Sequence, residues 1–132
     1  MMRYITVPTA PPPPKGARYS HAVEAGGFLY VTGQLPVDPA DPDADLPAGI
    51  EAQTEMTLHN LKLVVEAAGF RLADTVFARI YLKEFERDYA RMNAVYARQF
   101  GDDERMPGRT TVGVTRLARD ALVEIDLVLV RS

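Results

Sequence analysis

The sequence predicts an α+β fold of order ββαβαββ, with two helices packed on one face of a mixed sheet, and three observations carry this. Two segments hold apolar residues at helical spacing and each stops at a glycine. Five segments alternate or run apolar as strands do. A Gly26-Gly27 pair joins the first two of those strands as a tight hairpin turn would. At 132 residues the chain suits one domain, 1–132, able to bury a core without staples.

In chain order, Pro8 to Pro14 reads as a stiff, extended stretch running over the surface, preceded by a short strand near Tyr4. Ser20 to Ala25 and Phe28 to Gly33 are the hairpin strands. Pro36 to Pro47 is an acidic, proline-rich loop whose composition predicts exposure and mobility. From Gly49 to Ala68 the stripe Leu58, Leu61, Val65, Ala68 predicts a helix, stopped by Gly69. Val76 to Lys83 alternates, with Val76, Ala78, Ile80 and Leu82 on one side, and reads as a half-buried strand. Phe85, Tyr89, Met92, Tyr96 and Phe100 form the stripe of a second helix that ends at Gly101. After the turn Met106-Pro107-Gly108, the segments Thr110 to Leu117 and Leu122 to Val130 read as a closing pair of strands.

Composition removes several classes of function. Hydrophobic residues at 47% and charged residues at 25% are ordinary for a globular domain. With no cysteine, thiol nucleophiles, disulfides and thiolate metal sites are excluded. The start lacks an apolar signal core, and no apolar run approaches the ~20 residues of a membrane span, so a cytoplasmic location with no membrane partner is expected. Net charge is −3 and the 15 basic residues form no stripe, which argues against nucleic acid as a partner. The only serines, Ser20 and Ser132, sit in no nucleophile elbow, and His21 and His59 lack metal-ligand spacing. Both histidines read as ordinary surface or boundary residues. Asp41, Asp43 and Asp45 have the alternate spacing of a calcium loop, but Leu46 and Ala52 stand where glycine and a bidentate glutamate are needed. No helix follows the glycines at 26, 27 and 33, so no phosphate cradle is read there.

Two features remain. Glu124 and Asp126 interrupt the apolar run from Leu122 to Val130 with period two, so both point to one face. A carboxylate in a central strand is costly unless paired, and this face equally suits water or an arginine such as Arg116. Arg109 follows a Pro-Gly turn and opens a strand of small residues, which leaves room beside a guanidinium suited to bidentate binding of a carboxylate.

The chain resembles the RidA (YjgF-type) reactive intermediate deaminases over nearly its whole length. The resemblance rests on Ala17 to Val23, Tyr30 to Val37, Gln53 to Leu61, Val64 to Gly69, Met92 to Tyr96, Pro107 to Val114 and Val123 to Asp126, in that order and spacing. It implies a chorismate-mutase-like two-layer sandwich, a homotrimer with a pocket at each subunit interface, and no cofactor or metal. It implies hydrolysis of small 2-imino or enamine acids to 2-oxo acids and ammonia. Arg109 falls at the family's carboxylate-binding position and Glu124 at the acid that handles water. Tyr19, Thr32, Gly33 and Asn93 fall at pocket positions. Thr111 stands where cysteine is common, and His21 where glutamine is common. The alternative is a non-catalytic trimeric binding protein for small carboxylic acids. A simple hairpin turning near Arg119 would set Glu124 opposite Val114, five residues from Arg109, or roughly 17 Å at strand rise. Twist, a bulge or supply from two subunits would have to close that gap, and the expectation is that both side chains reach one pocket.

Overall fold

The computed structural model describes residues 1–101 and 103–131; Ser132, weighed above as a nucleophile, lies outside them. Six strands form one mixed sheet: β1 (Arg3–Ile5), β2 (Ala22–Ala25), β3 (Phe28–Gln34), β4 (Thr75–Leu82), β5 (Gly108–Gly113) and β6 (Val123–Val130). The helices α1 (Ile50–Ala67) and α2 (Phe85–Phe100) pack on it. The spatial order is β1-β2-β3-β6-β4-β5, so the last strand in sequence lies between β3 and β4 and is antiparallel to both.

Local chemistry sets the element ends. Gly26 and Gly27 take positive φ of 60° and 83°, and Ala25 pairs with Phe28 across them, as a two-residue hairpin requires. At the end of α1, Gly69 has φ 85° and its N–H bonds the Glu66 carbonyl while the Phe70 N–H bonds that of Val65. This is a Schellman stop, with buried Phe70 as its apolar clasp. α2 stops at left-handed Gly101. The core lies between helices and sheet. Leu61, Val64 and Val65 of α1 and Met92 and Tyr96 of α2 meet Ala78, Ile80, Leu82, Val123, Ile125, Leu127 and Leu129.

Four sequence expectations are corrected. β5 and β6 are not a pair. The β4-α2-β5 crossover makes β5 parallel to β4 on its outer edge, and β6 fills the other edge of β4. In β4, a register shift between Thr75 and Phe77 turns Thr75 inward and leaves Val76 exposed. His21 is buried, not a boundary residue. Its Nδ1 accepts from the Val7 N–H at 2.9 Å and its Nε2 donates to the Pro11 carbonyl at 2.7 Å, which fixes one neutral tautomer and tucks Pro11 inward. The acidic loop is anchored. Asn60 Nδ2 donates to the carbonyls of Leu35 (3.0 Å) and Val37 (2.8 Å), Gln53 Nε2 to Pro47, and Arg119 to Pro42 and Ala44. Of its acids, Asp41, Asp43 and Asp45 are exposed and Asp38 is half-buried. No helix among the described residues is long and apolar enough to cross a membrane.

Asn60 is fully buried, and Asn60→Ala would leave both loop carbonyls without their donor. The expected loss is about 1–3 kcal/mol of unfolding free energy. It should appear in chemical denaturation as a lower midpoint with an unchanged slope. A variant with the original midpoint would show that the loop is held by other contacts.

Candidate functional site

The sheet has one face under the helices and one open face, and the strand alternation distributes the candidate residues between them. On β6, Val123, Ile125, Leu127 and Leu129 are buried against the helices, so Glu124 and Asp126 share the open face, as their spacing predicted. The arginine on this face is Arg79, not Arg116, and it meets Asp126 alone. Arg79 Nε donates to Asp126 Oδ1 at 2.8 Å, and the Tyr81 hydroxyl donates to Asp126 Oδ2 at 3.0 Å. Tyr81 is also the register partner of Glu124.

Glu124 is treated differently from Asp126. Among the described residues no cation pairs with it. Burial pushes its carboxyl above the usual value near 4.5, and the Asp126 charge pushes it further the same way. Its carboxylate lies where a side chain on Gly33 would be: a Cβ there would overlap the Glu124 oxygen and come within 2.9 Å of its carboxyl carbon. A bulge provides this approach. Val31 pairs with Leu127 and Gln34 with Ile125, so β3 carries one residue more than β6, and Thr32 and Gly33 lie within the shift. The Tyr19 phenol is raised first by burial and then by the Glu124 charge, which places these two groups near each other. Thr32 spends its hydroxyl proton on the Ser20 carbonyl at 2.7 Å.

The remaining candidates lie on the helix side. β4 pairs Ala78 with both Leu127 and Arg109, all inward positions, so Arg109 projects from edge strand β5 toward α2. Its Nη2 donates to Asn93 Oδ1 at 2.8 Å and to the Tyr89 hydroxyl at 3.3 Å. The guanidinium carbon stands 5.0 Å from the centre of the Tyr96 ring and 5.8 Å from that of Tyr89. Among the described residues no carboxylate forms an ion pair with it. Two buried hydroxyls here, those of Tyr96 and Thr111, have no hydrogen-bond partner among the described residues. Arg109 is thus a half-buried cation held by neutral groups, with donors left for an anion.

The structure therefore sorts the candidate residues of one chain into two clusters. Tyr19, Thr32, Gly33 and Glu124 form one; Asn93, Arg109 and Thr111 form the other. Glu124 and Arg109 are two strands and three residue rows apart, roughly 14 Å between Cα atoms, and on opposite faces. A single chain does not bring both to one pocket. Sequence reasoning missed Tyr89 and Tyr96, which it read as core stripe. Their spacing from Asn93 by one helical turn on either side was the available signal. It also missed Arg79 and Tyr81, whose register with β6 depends on β5 not being the partner of β6.

Comparison with known proteins agrees with this architecture along the whole chain. The family model described as Endoribonuclease L-PSP matches residues 9–130. A RutC family protein of Pyrococcus horikoshii is 42% identical over 110 residues, 83% of this chain and 84% of that one. A 2-iminobutanoate/2-iminopropanoate deaminase of Escherichia coli is 34% identical over 96% of this chain and 97% of its own length. The crystal structure of a protein of Thermotoga maritima described as a putative endoribonuclease superposes with a TM-score of 0.90 at 36% identity, covering 100% of this chain and 99% of that one. By the family match, the full-length relatives and the shared fold, this chain belongs to the L-PSP (YjgF/RidA) family.

Proposed function

We propose that this chain hydrolyses small 2-imino and enamine acids to 2-oxo acids and ammonia, at a site completed by two copies of the chain in a homotrimer. The observation that carries the reading is Arg109, a half-buried guanidinium positioned by Asn93 and two tyrosines with no carboxylate of its own. It suits the carboxylate of a small acid, held in one orientation. Glu124 of a second copy would face the imine carbon. Burial and the Asp126 charge raise its pKa, which favours its taking a proton from water and returning it.

The steps balance without a cofactor or metal. An enamine first tautomerises to the imine. Water adds to C2 of the protonated imine while Glu124 accepts the proton that water loses. The resulting carbinolamine takes that proton on nitrogen. The hydroxyl gives its proton back to Glu124 as the carbonyl forms and ammonia leaves. Positioned acid–base help of this kind is typically worth ~10²–10⁴-fold. The relative named as a 2-iminobutanoate/2-iminopropanoate deaminase supports the substrate class. The family description as an endoribonuclease is less well supported here. Net charge is −3, and both nitrogens of His21 are already bonded to backbone. A second reading, a non-catalytic trimeric binder of small carboxylic acids, is favoured by Thr111. Its hydroxyl is buried without a partner among the described residues, at the position where the resemblance expects cysteine, and it could serve a ligand without chemistry.

The test is loss of imine, generated in place from alanine or 2-aminobutanoate by an amino acid oxidase. Arg109→Ala and Glu124→Gln should each abolish any acceleration over buffer. Because each variant retains the half-site the other lacks, co-expressing the two should restore about a quarter of wild-type activity by random mixing around a closed ring. No recovery in verified mixed oligomers would place the reaction within one chain or remove it.

A second outcome follows from the Glu124 pKa. A carboxyl raised by folding is penalised when ionised; the penalty is absent below its unfolded value near 4.5 and complete above the folded value. Glu124→Gln should therefore raise the melting temperature at pH 7, and the gain should close as pH falls through 4.5 toward 4. A variant less stable than wild type at pH 7 would contradict the buried, unpaired description.

A further inference from the structure

The Glu124 half-site continues past Gly33. Gly33 and Tyr19 also line a cavity of about 350 Å³. One wall is the proline arm, Pro11 to Pro14, and the other is formed by Leu35, Val37 and Pro42. Each wall is tied down by a distant side chain. His21 holds the Pro11 carbonyl, Asn60 holds those of Leu35 and Val37, and Arg119 holds those of Pro42 and Ala44. Arg119 does so from a left-handed backbone, φ 62°, a strained conformation for a residue other than glycine. A cavity with walls fixed in this way is preformed, so a ligand would not have to order them.

Its size exceeds the need of the smallest substrates. At ~30 Å³ per water the space equals roughly a dozen water-sized groups. A three-carbon imino acid has six heavy atoms, and its carboxylate and imine carbon are already assigned to Arg109 and Glu124. The extra space is walled chiefly by proline, leucine and valine. Its charged members, Lys15, Asp43 and Arg119, are of mixed sign, and Arg119 is engaged with carbonyls. We infer that the proline-walled cavity is the side-chain subsite of this enzyme and selects 2-imino acids with large apolar side chains, branched or aromatic. The inference rests on the proposed imine hydrolysis only for the reaction; the subsite itself is read by binding.

The probes are 2-oxo acids, the expected products, measured by titration calorimetry. 4-Methyl-2-oxopentanoate and phenylpyruvate should bind at least about tenfold more tightly than pyruvate, as a few added carbons in an apolar pocket allow. Leu35→Trp, which fills the cavity from one wall, should bring that ratio near one. Pro13→Trp fills it from the other wall and serves if the first variant does not fold. The same preference should appear in kcat/KM for imines made from leucine and phenylalanine against alanine. Equal or weaker binding of the large acids, or no measurable binding of any, overturns the subsite, and preference for 2-oxoglutarate overturns its apolar character. Hydrolysis of 2-iminopropanoate without a size preference sinks the subsite and leaves the hydrolase. A size preference in binding with no imine loss keeps the subsite and sinks the hydrolase.

Discussion

Strand β6 alternates between Val123, Ile125, Leu127 and Leu129, buried under the helices, and Glu124, Asp126, Val128 and Val130 on the open face. A slip of one residue would carry two carboxylates into the core and four aliphatic side chains out of it, so the register is strongly fixed. The rest of the sheet follows from that strand's central place. β3 and β4 take its two edges antiparallel, and β5 is left with the outer edge of β4. The parallel pairing of β5 with β4 then sets Arg109 in the row of Ala78, an inward position. On an interior strand that row would bury a guanidinium fully. On the edge it is half-buried against α2, where Asn93 and the tyrosine rings can hold it while its charge stays available.

Two carboxylates on one face, two residues apart, receive opposite treatment. Asp126 is paired with Arg79 and accepts a hydrogen bond from the Tyr81 hydroxyl. Glu124 has neither, is pushed up by burial and by Asp126, and lies against the bare backbone of Gly33. Divergent environments for adjacent acids are how one fold can assign one group to structure and the other to proton exchange, the role proposed for Glu124. The bulge at Thr32 and Gly33 belongs to the same arrangement, because without the extra residue no glycine would stand at that point of β3.

Much of this was legible in the sequence. The stripe ending at Gly69, the stripe ending at Gly101 and the Gly26-Gly27 turn each carry a local physical signal, and local signals located the elements to within a few residues. Pairing was not legible where sequence neighbours are not spatial neighbours. Strands β5 and β6 are adjacent in the chain and suggest a hairpin. Yet the near-continuous apolar run of β6 already marked a strand covered by partners on both sides, which a terminal hairpin arm is not. The anchors of the acidic loop were hidden because Asn60, Gln53 and Arg119 act on carbonyls, which any sequence possesses. Arg109 and Glu124 stood out from their sequence context and the other site residues were named from resemblance; their division between two faces came only with the register.

That division has a chemical consequence for the proposed reaction. Were Arg109 within ion-pair distance of Glu124 in the same chain, each would satisfy the other. The pair would lower the Glu124 pKa and occupy the donors that Arg109 has left for a ligand. Separation by two strands and the thickness of the sheet keeps the cation open to an anion and the acid above its usual range. A substrate of a few atoms cannot span roughly 14 Å through a sheet, so in this reading the halves must come from different copies. The open face offers a surface for such contact, with Phe28, Tyr30, Phe77 and Val112 all exposed on it. In a site built from two copies the substrate would stand between the two groups, its carboxylate on Arg109 and its imine carbon toward Glu124, so the ion pair that would disable the site is replaced by the complex that uses it.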